Sequence, residues 1–184
     1  TNEINPLIHA CNENSNKIIN YLLQANFDIN CIDEEGKTPL IVSVINANVE
    51  GLATLLVHKP NLDATDFNGN TALMWTSYTN LEPQSISQDH FQGLSNLEHP
   101  KQASILDRLI HAGADPEISD YEGLTPLHRA IVQGNIMVID KLLIAGANLE
   151  ATDSQGNTPL IKAIIHGYPS IVERLIRDGA DIHT

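Results

Sequence analysis

Leucine, isoleucine, valine and alanine recur along this chain in short runs, each bounded by polar turns. In "IINYLLQA", "GLATLLVH", "SILDRLIHA", "MVIDKLLIA" and "SIVERLIRD" the apolar residues return every three or four positions, which predicts one apolar face per helix. Each run follows a shorter one such as "PLHRAIVQ", and these shorter runs carry helix-opening signals. Thr38, Thr71, Thr125 and Thr158 suit the N-cap, and Pro39, Pro126 and Pro159 the first helical position, where a missing N–H costs nothing. Gly134 and Gly167 fall at the turn between the two helices, and Gly113, Gly146 and Gly179 suit a left-handed cap at the end of the second. Lys59-Pro60 stands where that last glycine is expected, which predicts an irregular helix end. None of these helices is long enough to be stable alone, so only stacking buries their faces.

The Gly-x-Thr phrases at 36, 69, 123 and 156 are separated by 33, 54 and 33 residues, and "NPL" at 5–7 precedes "TPL" at 38–40 by another 33. The long interval is one period plus 21, which places an insertion at about 81–101. A period of this size marks a stacked-repeat protein. The period, "TPLHRA" at 125–130 and "LLIAGANLEATD" at 142–153 together resemble the ankyrin repeat. That resemblance implies an all-α repeat solenoid of helix–turn–helix units with projecting β-hairpin fingers. It also implies a concave face formed by first helices and fingers. The expected organisation is one domain, 1–184, with units at about 1–35, 36–68, 69–122, 123–155 and 156–184. The family's usual histidine is kept only at His128; Ile8, Ile41, Met74 and Ile161 replace it. His128 is therefore expected to make a structural hydrogen bond between neighbouring units. "GADIHT" opens a sixth finger, so the apolar C-terminal face, with Leu160, Ile164, Ile165 and Ile171, is expected to be frayed, self-associated or covered by sequence beyond it. The Asn- and Glu-rich first twenty residues are expected to form a solvent-facing cap.

Composition narrows the function. A hydrophobic fraction of 42% with 18% charge fits a folded chain, and 4% aromatics leaves the core to aliphatic residues. The net charge of −13 argues against nucleic acid or anionic lipid as partner and favours a basic or neutral one. No apolar run approaches a membrane span of about 20 residues. Two cysteines cannot build a disulfide framework, and their number suits a reducing, cytoplasmic setting. A chain that opens at Thr1 without methionine is expected to be an excised piece of a longer parent. Usage rich in Asn and Ile hints at an AT-rich genome, as in a bacterium living with eukaryotic cells.

No phosphate loop, His-Glu-x-x-His, nucleophile elbow or Cys-x-x-Cys occurs, so neither enzyme activity, cofactor nor metal is expected within the chain. His9 with Cys11 and Cys31 lacks an orienting third group. The expected site is instead the concave surface. Val42, Ile45, Trp75 and Tyr78 supply an apolar cluster, Phe67 and Tyr121 flank it from the fingertips, and Arg129 lies alongside. These residues predict a groove across units two to four, unless the insertion folds over them. The insertion itself, with Leu81, Ile86, Phe91, Leu94 and Leu97 as anchors, is equally readable as functional or neutral; Pro100 is expected to open a slightly extended second helix. More than half of the 23 acidic residues fall in finger segments, with Asp33, Glu34 and Glu35 as the densest group. The expected partner is a protein or peptide that is basic or presents an apolar anchor, bound by a monomer. Two alternatives stand beside this scaffold: a targeting module of a larger enzyme or secreted effector, and a substrate of an asparaginyl hydroxylase, modified at Asn30 or His183.

Overall fold

A computed structural model describes residues 5–78 and 100–183. Among the described residues the chain forms ten helices, α1 (Pro6–Asn12), α2 (Asn16–Gln24), α3 (Pro39–Ile45), α4 (Val49–Val57), α5 (Ala72–Trp75), α6 (Pro100–Ala112), α7 (Pro126–Val132), α8 (Ile136–Ile144), α9 (Pro159–Ile165) and α10 (Pro169–Arg177). They pack as five successive pairs. The first helices (α1, α3, α5, α7, α9) form one row, and α2, α4, α6 and α8 form a second behind it. Among the described residues, substantial helix contacts occur only within a pair or between neighbouring pairs. The chain is an all-α repeat solenoid, as the periodicity predicts.

The helix starts follow from local chemistry. Thr38, Thr71, Thr125 and Thr158 each accept the backbone N–H three residues on, and Asn5 does the same for α1. The core is aliphatic: Leu7, Leu40, Leu73 and Leu127 from the first helices meet Ile19, Leu52, Leu106 and Ile139 from the second, all fully buried. The fingers are tight turns closed by pairs such as Asp66 N–H to Asn70 C=O and Gly69 N–H to Asp66 C=O. Only one antiparallel bridge, Thr65 with Thr71, marks them among the described residues. Successive fingers are stitched by Phe67 N–H to Glu35 C=O, Tyr121 N–H to Asn68 C=O and Ser154 N–H to Glu122 C=O.

Two expectations change in detail. The helix α4 ends regularly: Lys59 takes the left-handed conformation itself, with φ of 54°. A side chain is tolerated there because the site is open; a Cβ added to the equivalent Gly113 or Gly146 would meet no atom within 4 Å. The cost is backbone strain alone. The two ends are also more alike than polarity suggests. At the C-terminal end Leu160 and Ile171 are buried, while Ile164 is 59% exposed, although Val44 and Ile131 at the equivalent position are buried. At the N-terminal end Ile18 and Tyr21 are exposed as well. Helix α6 begins at Pro100 and runs for 13 residues, longer than its counterparts, as expected. The remaining expectations for the insertion, at Leu81, Ile86, Phe91, Leu94 and Leu97, lie outside the described residues.

Relief of the strain at Lys59 is measurable. Lys59→Gly should stabilise the chain by about 1 kcal/mol in chemical denaturation, since glycine adopts this conformation without the Cβ clash but adds some unfolded-state entropy. A loss of stability would place a packing role on the Lys59 side chain.

Candidate functional site

Three of the four finger aspartates work twice, and all four cap their own turn. One oxygen, Oδ1, accepts two N–H groups of its own turn: Glu35 and Lys37 for Asp33, Asn68 and Asn70 for Asp66, Glu122 and Leu124 for Asp120, Gln155 and Asn157 for Asp153. In three of them the other oxygen reaches the first helix nine residues on. Trp75 Nε1 donates to Asp66 Oδ2 at 2.9 Å, Arg129 Nε to Asp120 Oδ2 at 2.5 Å, and Lys162 Nζ lies 2.7 Å from Asp153 Oδ2. Burial alone would raise the Asp153 carboxyl. The bonds from Lys162, Asn157 and Gln155 outweigh it and hold the group well below the ordinary carboxylate range.

This arrangement explains Trp75. After α5 the backbone bonds tighten to three-residue spacing, Ser77 N–H to Met74 C=O and Tyr78 N–H to Trp75 C=O. At that spacing residues i and i+3 eclipse. The Trp75 and Tyr78 rings accordingly meet at 5.2 Å between centroids, tilted by 52°. Lys37 Nζ lies 5.3 Å from the Trp75 ring centroid and also pairs with Glu35. Lys37 was not foreseen as a site residue; the signal available was its place between Gly36 and Thr38, one finger ahead of the tryptophan. Burial raises the Tyr78 phenol, and neighbouring Arg129 partly offsets this. Trp75 and Tyr78 are thus half-buried and held, rather than free on a surface.

The other expected site residues separate into groups. Val42 is buried, and Ile45 is partly buried beside it. Both lie in the floor of an open trough of about 700 Å³ whose walls include Asp33, Glu34 and Glu35. That trough crosses the first two pairs, from His9 and Asn12 on α1 to Val42 and Ile45 on α3, and Trp75 is outside it. The space above Val42 and Ile45 thus opens over the first two pairs, whereas Asp66 and Tyr78 hold Trp75 beside it. Phe67 is exposed at its fingertip and lies over Gly36, where an added Cβ would come within 2.5 Å of the ring. Tyr121 is the most exposed of the expected aromatic residues, at 76%. Arg129 is engaged by Asp120 and, at 3.4 Å, by Glu122.

Much of the acidic clustering is structural. Glu117 accepts Asn148 N–H, Glu150 accepts Asp181 N–H, and Asp63 accepts Asp115 N–H, each linking successive fingers. Asn30 is in the same ladder and accepts Asn61 N–H at 2.8 Å, while His183 N–H donates to Asp181. Between 115 and 122, Asp115 and Asp120 cap their own turns, Glu117 is a rung and Glu122 pairs with Arg129. Glu34 and Glu35 are exposed and lie outside this scheme.

The remaining reactive groups are quiet. Burial pushes the Cys11 thiol up to about 11, and burial with nearby Asp28 does the same to Cys31. No group of three or more metal-ligating side chains occurs among the described residues, and no described helix is long and apolar enough to cross a membrane. His128 is fully buried, as a link between units: its Nδ1 accepts Thr125 N–H at 3.3 Å, and its Nε2 faces Asn157 C=O at 3.2 Å.

A family model described as ankyrin repeats (3 copies) matches residues 7–83 and 97–184. The chain belongs to the ankyrin-repeat family. Its ankyrin repeats are 28% identical over 127 residues to potassium channel AKT2/3 of Arabidopsis thaliana, a match that covers 63% of this chain and 16% of the channel. They are 27% identical over 125 residues to palmitoyltransferase AKR1 of Lachancea kluyveri, covering 66% of this chain and 14% of the transferase. The matched region thus spans no more than about one-sixth of either relative. Ankyrin repeats are a non-catalytic fold that generally mediates protein–protein interaction.

Two outcomes follow for this ankyrin stack. Burial lowers the His128 pKa, so the folded state keeps the ring neutral. Its stabilisation is complete above the unfolded pKa of about 6.5 and is lost as pH falls from there towards the lower folded value. Denaturation at pH 7.5 and 5.5 should show that loss in the native chain, and His128→Gln should reduce it. Trp75→Phe keeps a ring against Tyr78 but removes the donor to Asp66, which should cost about 2 kcal/mol. An unchanged midpoint would mean that Asn70, which also approaches Asp66, suffices.

Proposed function

We propose that the chain is a protein-binding module that engages a protein or peptide through the trough and fingers, as a monomer organised in the five units outlined above. The observation that carries this is the trough itself: an apolar floor of Val42 and Ile45 walled by the acidic group at 33–35. An apolar floor with a charged rim is the composition of a protein-interaction surface. The net charge of −13 sets the sign of the partner as basic. The Trp75–Tyr78 pair borders the same surface through Lys37 and extends it towards Phe67 and Tyr121.

A second reading is favoured by the small share of each relative that the match covers. In that reading the same module directs a larger protein, whose activity lies elsewhere, to its partner. The two are compatible at the level of the trough, because targeting also proceeds by protein binding.

Binders selected from a displayed peptide library test the proposal. Their hydrogen-exchange footprint should fall on the trough and fingers, around 33–45 and 66–78, and their association should slow as salt rises. Glu34→Lys with Glu35→Lys should lower the on-rate on the order of tenfold and alter the off-rate less. Asp33 is left intact in that variant because it caps its own turn. Salt-independent association, or protection confined to the second-helix row, would overturn the assignment.

A further inference from the structure

The repeat itself shows that one donor is missing. In three fingers the aspartate is complete: Asp66, Asp120 and Asp153 receive Trp75, Arg129 and Lys162 from the position nine residues on. All three are less than one-tenth exposed. In the first finger the turn is built the same way, with Glu35 N–H at 2.9 Å and Lys37 N–H at 2.8 Å on Asp33 Oδ1. Nine residues on, however, stands Val42, which has nothing to donate. Among the described residues no side chain donates to Asp33 Oδ2, and Asp33 is only half-buried. Lys37, the lysine in the trough wall, is committed to Glu35 and the Trp75 ring.

The space that a donor would fill is the trough above Val42. Resting on the protein-interaction function proposed above, we infer that this trough takes a lysine or arginine side chain from a partner protein. The partner's cation bonds Asp33 in the place that Arg129 and Lys162 fill for their own fingers. The chemistry matches along the whole side chain. The aliphatic stem lies on Val42, Ile45 and Ile8, and the charged head reaches Asp33 with Glu34 close by in the wall. Ile32, exposed on the finger side of the same trough, receives an aliphatic neighbour of the basic residue. Arginine fits better than lysine, because its fork can span Asp33 and a second carboxylate, as Arg129 spans Asp120 and Glu122.

The test uses the pentapeptide acetyl-Gly-Leu-Arg-Leu-Gly-amide and its citrulline analogue, titrated to millimolar concentration against the amide spectrum of the whole chain. The arginine peptide should shift the Glu35 and Lys37 signals, whose N–H groups bond Asp33, while citrulline should bind about tenfold more weakly. Asp33→Asn retains the Oδ1 acceptor for the turn and puts an amide NH2 where the free oxygen was, so it should abolish the shifts. Val42→Lys fills the vacancy from within and should abolish them too. If Val42→Lys fails to fold, Asp33→Asn alone decides. Equal binding of arginine and citrulline peptides, shifts unchanged in Asp33→Asn, shifts spread evenly over all the fingers, or no shift at all would each overturn the inference. Library-selected binders that still protect the trough in Asp33→Asn would show that this inference fails while the protein-binding function stands.

Discussion

The stack depends on the way one carboxylate joins a turn to a helix. A finger without regular strands has few backbone bonds of its own, and its amides need acceptors. The aspartate supplies them with one oxygen and ties the finger to the next helix with the other. Because the carboxylate is charged and nearly dry in three fingers, loss of its donor would leave a buried ionic group less well compensated. The fingers then hydrogen-bond to one another through Phe67, Tyr121 and Ser154, so the order set in one turn passes along the edge.

A second ladder runs behind the first. Lys141 meets Asp107 and Arg174 meets Asp140, each across neighbouring second helices with the same residue separation. Asn16 donates to Glu50 across the same separation, in the opposite direction, at the N-terminal end. These pairs are partly exposed, so each contributes little alone. Their effect is to favour a fixed register between helices whose buried surfaces are all aliphatic and therefore poorly discriminating.

Such regularity turns departures into information. Where every finger has the same geometry, a missing donor is visible as a gap in a column rather than as an odd residue. Val42 is unremarkable as a buried valine and informative only beside Trp75, Arg129 and Lys162. The trough over the first two pairs is the spatial form of that gap.

The sequence by itself determined the repeat, the helix starts and the aliphatic core, because these are local or periodic: a threonine cap, a proline at the first position and a 33-residue spacing act within a few residues or repeat without change. His128 was legible for the same reason, as one place in a fixed pattern. What only the tertiary structure decided was the use of each side chain between units. Trp75 reads as a free aromatic anchor in sequence, yet Asp66, Tyr78 and Lys37 converge on it from three directions. The acidic finger segments read as a free field, yet many of their oxygens are spent on backbone N–H groups of their own turn and three on those one repeat away. Asp33 has the turn of the other finger aspartates but Val42 nine residues on, and only the structure shows that this position carries the donor in the other fingers. Partnership of this kind depends on distances between residues about 9, 31 or 34 apart, which hydrophobic pattern and composition do not encode.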